Sequence, residues 1–154
     1  MARLQFKGLD TYIAQLEKAA DKTTGLMKRA VFDGAAQVAN AAHAQVAALP
    51  VVDEYTPPSK LPIRGIRQEQ KQGLLAGLGL AKMRDDGGYI NTHIGFDGYN
   101  SLGQPNSMIA RSINSGSSTR AKIPFMQRAI SASKGAAEGA MAARFDADIK
   151  SIIK

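Results

Sequence analysis

The chain has 154 residues, a length that suits one domain built around a single hydrophobic core. It contains no cysteine and two histidines, His43 and His93, which excludes disulfides, thiol catalysis and a three-histidine metal site. The net charge of +7 suits an anionic partner or surface without identifying one, and the absence of tryptophan leaves few rings for base stacking.

Leu4 and Phe6 alternate with Gln5 and Lys7, a short strand pattern over residues 3–8 that Gly8 closes. Asp10 can cap a first helix starting near Thr11, with Tyr12, Ile13, Leu16, Ala19 and Ala20 at helical spacing. Thr23, Thr24 and Gly25 weaken helix and predict a break or kink there. Met27, Val31, Ala35, Val38, Ala42, Val46 and Leu49 then step by three and four, one apolar stripe that predicts a long helix stopped by Pro50. Its flanks are rich in alanine, so a neighbouring element can approach closely.

Residues 50–72 hold four of the six prolines together with Lys60, Arg64, Arg67 and Lys71. This segment reads as a long exposed loop, mobile in the free subunit and extended where proline dictates. The apolar, glycine-rich run 73–82 and the alternating run 89–96 flank the turn signal Asp86-Gly87-Gly88, which predicts a hairpin. Residues 97–107 are dense in turn formers, and 108–114 suit either a third strand or a short helix. Pro124 stands where a first helical residue would, and Met126, Ile130, Ser133, Ala137, Met141, Phe145, Ile149 and Ile152 form a second long stripe. The expected class is α+β: a small antiparallel sheet with two long helices packed on one face and a long extended loop, in one domain over 1–154. No apolar run reaches signal-peptide or membrane-spanning length, so the chain reads as soluble and made in the cytoplasm.

No pattern in the chain assembles a catalytic or cofactor site. Gly73, Gly77 and Gly79 lack the Gly-Lys-Ser/Thr ending of a phosphate loop. Asp85-Asp86 flanks two glycines and reads as a solvated turn, and Asp97–Ser101 lacks the glycine and terminal glutamate of a calcium loop. Neither histidine is tied by a motif to a nucleophile or carboxylate. The expectation is therefore a protein that is not an enzyme, with no cofactor and no metal. Basic residues form two clusters instead: Lys60, Arg64, Arg67 and Lys71 in the proline loop, and Arg111, Arg120, Lys122, Arg128 and Lys134 later. The last third, residues 105–154, carries eight Lys and Arg against three Asp and Glu. Such clusters can track phosphates, so a small basic nucleic-acid-binding protein is the alternative reading.

The order of several short segments adds a resemblance. Phe6-Lys7-Gly8-Leu9-Asp10, the alanine-rich helix ending at Leu49-Pro50-Val51, Gly95-Phe96-Asp97-Gly98-Tyr99-Asn100, Ala110-Arg111, Asn114-Ser115-Gly116-Ser117 and Ile123-Pro124-Phe125-Met126 with Ala129 follow one another along nearly the whole chain. In this order the chain resembles the neck or tail-completion family of long-tailed bacteriophages. It departs from the family where Val52-Asp53 runs into Glu54-Tyr55 and the proline loop. The resemblance implies a virion protein of the neck or tail region that forms a homo-oligomeric ring. Its neighbours would be portal or head-completion proteins and the tail tube protein, with non-specific contact to passing DNA, no membrane and no catalytic residues. Lys60, Arg64, Arg67, Lys71, Arg111, Arg120 and Lys122 are then the candidate subunit-contact or DNA-facing residues, and Phe125 is expected to anchor the terminal helix against the hairpin.

Overall fold

A computed structural model describes residues 9–54 and 57–153, with side chains from residue 20 to 152. The expected strand over 3–8 lies outside the described residues. Helix α1 spans Leu9–Ala47 and helix α4 spans Phe125–Ile153, and they pack antiparallel as the dominant layer. Between them come a single 3-10 turn at Pro58–Lys60, helix α2 (Gln68–Gly77), strands β1 (Leu78–Leu80), β2 (Arg84–Asp86), β3 (Tyr89–Asn91) and β4 (Ile94–Phe96), and helix α3 (Asn106–Ser115). The class is α+β, with four α-helices and a small antiparallel set of strands among the described residues.

Several elements differ from the sequence reading. Helix α1 starts at Leu9, so Asp10 lies inside it rather than capping it, and it runs unbroken past Gly25. The Thr24 hydroxyl donates back to the Ala20 carbonyl, and the buried Leu26 and Ala30 continue the apolar stripe, so packing outweighs the weak propensity. The helix does end where Pro50 requires: Leu49 N–H donates to Val46 in a last tight turn.

The glycine-rich run 73–82 is strand only at Leu78–Leu80, because α2 extends through Gly77. Leu74 is fully buried, and the two glycines let α2 lie directly on the 97–106 loop. A Cβ at Gly73 would stand 2.5 Å from Asn106 Oδ1 and 2.6 Å from Asn100 Cβ, so no larger residue fits without displacement. Residues 106–115 take the helical option. The irregular part of the proline segment ends at Arg67, and Lys71 stands inside α2.

The Asp86-Gly87-Gly88 turn closes the β2–β3 hairpin, with Gly87 and Gly88 in the positive-φ region that favours glycine. The run 89–96 is two strands rather than one. Leu80 faces Ile94 in the β1–β4 pair, and Arg84 faces Asn91 in the β2–β3 pair, so three residues oppose two in between. That extra residue is a bulge, which bends the hairpin. Ala81 and His93 keep one backbone bond across it, and the Thr92 hydroxyl donates to the Ala81 carbonyl.

The main core gathers Val46 and Leu49 from the end of α1, Ile66, Leu74, Phe96, Ile109, Ala110, Ile113, Ile123 and Phe125. Phe125 is 1% exposed and meets Phe96 edge-to-face, ring centroids 5.9 Å apart. The start of α4 is thus fixed against β4 and α3, and the rest of α4 runs back along α1.

Candidate functional site

Two surfaces stand out. The first is formed where the proline segment folds back on the loop after α3. Val52 N–H donates to Ile66, Ile66 N–H to Pro50, Ile63 N–H to Thr119, and Ala121 N–H to Ile63. These bonds make bridges at Val51–Ile66 and Ile63–Arg120. The segment expected to be mobile is therefore tied at both ends of its second half, with Gly65 and Ile66 buried. Gly65 has φ +141, and a Cβ there would strike the Pro50 carbonyl, which is why the close return needs glycine.

The Ile63–Arg120 bridge joins positions more than fifty residues apart in sequence and brings the two basic clusters together. Between them is a cleft of about 220 Å³ lined by Val52, Glu54, Leu61, Ile63, Arg67, Gln70, Thr119 and Arg120. Arg120 is half-buried and its guanidinium is held on two sides. One Nη donates to the Ser112 hydroxyl at 2.8 Å, and the other to Gln70 Oε1 at 3.1 Å. Gln70 is itself buried: its Nε2 donates to Gln104 Oε1, which also accepts from Asn100 Nδ2. Arg67 N–H donates to the same Gln70 oxygen. This chain of neutral partners fixes the guanidinium in place, while burial pulls the Arg120 pKa below its usual value.

Of the other sequence-selected residues, Lys60, Arg64 and Lys122 are exposed on the two loops. Arg111 is exposed on α3. Lys71 is partly buried and donates to the Leu49 carbonyl at 3.0 Å, tying α2 to the turn just past the end of α1. One of its three ammonium donors is thus used within the subunit. The N-terminus of α2 is satisfied, because Gln68 N–H donates to Asp53. Gln70, Ser112 and Gln104 were missed in sequence because nothing marks a neutral amide as the support of a distant arginine.

The second surface is one flank of the α1–α4 layer. Its two flanks differ sharply. On one, Arg29 pairs with Asp148 at 2.8 Å and Arg144 with Asp33 at 2.6 Å, and Asp33 holds the Arg144 pKa above its usual value. The other is apolar and open. A groove of about 660 Å³ runs between Val31, Val38, Met126, Ile130 and Met141 on the helices and Ile90 and Ile94 on the hairpin. It continues past Met27 to Phe145. Ile130 is 51% exposed, Phe145 37%, and Met27, Met141 and Ile152 are exposed too, so much of the second stripe read in sequence faces solvent rather than core. The buried face of α4 takes Ser133 and Ala137 from that stripe and adds Phe125 and Ala129.

Among the described residues no group of three or more His, Cys, Asp or Glu is placed to hold a metal ion, and no helix is long and apolar enough to cross a membrane. His43 and His93 are both exposed. No protein family, curated protein or solved structure matches this chain.

Proposed function

We propose that this protein is a structural subunit of a ring that joins the capsid portal of a long-tailed bacteriophage to its tail, working in the virion after synthesis in the host cytoplasm. The observation that supports self-assembly is the open apolar flank of α1 and α4. A monomer that exposes Met27, Ile130, Met141 and Phe145 along one groove carries a contiguous apolar surface of the kind that marks protein contacts. The opposite, ion-paired flank suits solvent or a wetter contact.

Light scattering after size exclusion, over a range of concentrations, tests the reading. Ring-sized particles are expected for the natural sequence. Ile130→Lys should abolish them while leaving the melting midpoint nearly unchanged, because about half of its side chain is exposed in the monomer. A natural chain that stays monomeric at the highest soluble concentration refutes the proposal.

The convergence of Lys60, Arg64 and Lys122 on neighbouring loops favours a second reading, a nucleic-acid-binding protein. Retention on DNA would then fall steeply with salt, the slope dropping by about one for each contacting lysine or arginine removed.

A further inference from the structure

We infer that the Arg67–Arg120 cleft is a receptor for a carboxylate, and that the carboxylate comes from the Asp85-Asp86 hairpin tip of a second copy of this chain. The inference rests on the assembly reading above and adds the contact that would set its direction.

The cleft is built for an anion. Arg120 is partly withdrawn from water, yet its partners, Ser112 and Gln70, are neutral. Among the described residues the only ion pairs are the two on the helical layer, so neither Arg67 nor Arg120 has a carboxylate within 4 Å. Glu54 lines the same cleft without reaching either guanidinium at that distance. A half-buried guanidinium held by neutral groups keeps unused donors, and a planar carboxylate matches their fork.

The complementary group lies elsewhere on the chain. Strand β2 is exposed throughout, and Asp85 and Asp86 have only neutral partners: Gly88 N–H for one and the Asn91 side-chain amide for the other. Each keeps one carboxylate oxygen with no partner given by these bonds. Tyr89, opposite Asp86 in the register, is 71% exposed, a large ring beside the acids of the kind that anchors interfaces.

Within one copy the tip does not pair with the cleft: neither Asp85 nor Asp86 lies within 4 Å of the Arg67 or Arg120 guanidinium. The hairpin lies along Val31–Val38 of α1, whereas the cleft begins beyond the end of α1, at Val52. From Val38 to Ala47 alone, the helical rise sets the two roughly 14 Å apart along the axis. A tip of one copy in the cleft of the next is therefore a head-to-tail contact, the kind that closes into a ring when the rotation allows.

Charge exchange provides the test. One variant, R67E/R120Q, turns the cleft acidic. The other, D85N/D86K, turns the tip basic, and the amide oxygen at position 85 can still accept from Gly88. Assembly is followed by sedimentation velocity, and folding by thermal melts. Each variant alone should need about 100-fold more protein to assemble, since like charges then meet or a buried charge loses its partner. An equimolar mixture should assemble within about threefold of the natural chain. Every contact in an alternating mixture is either native or fully exchanged. If R67E/R120Q melts early, R67E alone replaces it, because Arg67 is exposed and its side chain holds nothing in place. Variants that assemble like the natural chain overturn the inference and leave the ring reading intact. Folded variants that fail alone and also fail in mixture overturn the pairing of tip with cleft. A natural chain that never assembles refutes both readings.

Discussion

Replacing Phe125 with alanine should unfold this protein at markedly lower temperature. The ring is 1% exposed, packs in the main core and meets Phe96 edge-to-face at 5.9 Å with an interplanar angle of 72°. Truncating a buried phenylalanine costs about 3–5 kcal/mol, and the aromatic pair accounts for roughly 0.5–1.5 kcal/mol of that. Domains hold only about 5–15 kcal/mol in total, so the loss is a large fraction of the whole. For a chain of this length each kcal/mol lowers the midpoint by about 2–4 °C, so Phe125→Ala should fall by roughly 6–20 °C. Calorimetry of Phe125→Ala beside Phe125→Leu separates lost volume from lost ring, and the leucine variant should recover most of the difference. A midpoint within about 2 °C of the natural chain would refute the assignment of Phe125 to the core. Unchanged melting with lost assembly would place the residue at a subunit contact instead.

Glycine substitutions should split by position. Gly73→Ala should destabilise by about 1–3 kcal/mol in urea titration, because overpacking against Asn106 and Asn100 outweighs the better helix propensity. Gly135→Ala and Gly139→Ala, with nothing within 4 Å, should each stabilise α4 by up to about 1 kcal/mol, and equal effects at all three sites would disprove the close contact. Trypsin should cut first after Lys60, since backbone bonds secure Ile63 and Ile66, and mass spectrometry of early fragments would reveal a different order. A double-mutant cycle on Arg29 and Asp148 should give only about 0.2–1 kcal/mol, shrinking with salt, because Arg29 is well exposed.

The long helices and the hairpin turn were legible because they depend on local pattern: the stripes from Met27 and from Met126, the stop at Pro50 and the paired glycines at 87 and 88. Gly25 and the run 73–82 misled for one reason. Local propensity disfavours helix at both, but the burial of Leu26 beside Gly25 and of Leu74 within the run decides the outcome. The second stripe is only partly covered, since Ile130 and Phe145 point outward. Periodicity marks an apolar face without saying whether the same chain covers it. The cleft was half legible. Arg67 and Arg120 stood out as charges, but their meeting depends on the return of the proline segment at Ile63, which no spacing rule encodes.

The buried residues of α1 and α4 include Ala30, Ala42, Ala129, Ser133 and Ala137, small side chains that interlock little. Two such helices approach closely, and few side chains interlock along the middle of the contact. Met141 is the one that marks the register there. Its side chain sits over Gly34, so closely that a Cβ there would come within 2.5 Å of Met141 Cγ. Sliding by one turn, about 5.4 Å, would bring Ala137 or Phe145 to that place, the first too small to engage the hollow and the second too bulky to enter it. The same slip would part Arg29 from Asp148 and Asp33 from Arg144. The register of the helical layer is thus set by Met141 in the Gly34 hollow together with the two ion pairs, and a larger residue at position 34 would have to displace the Met141 side chain.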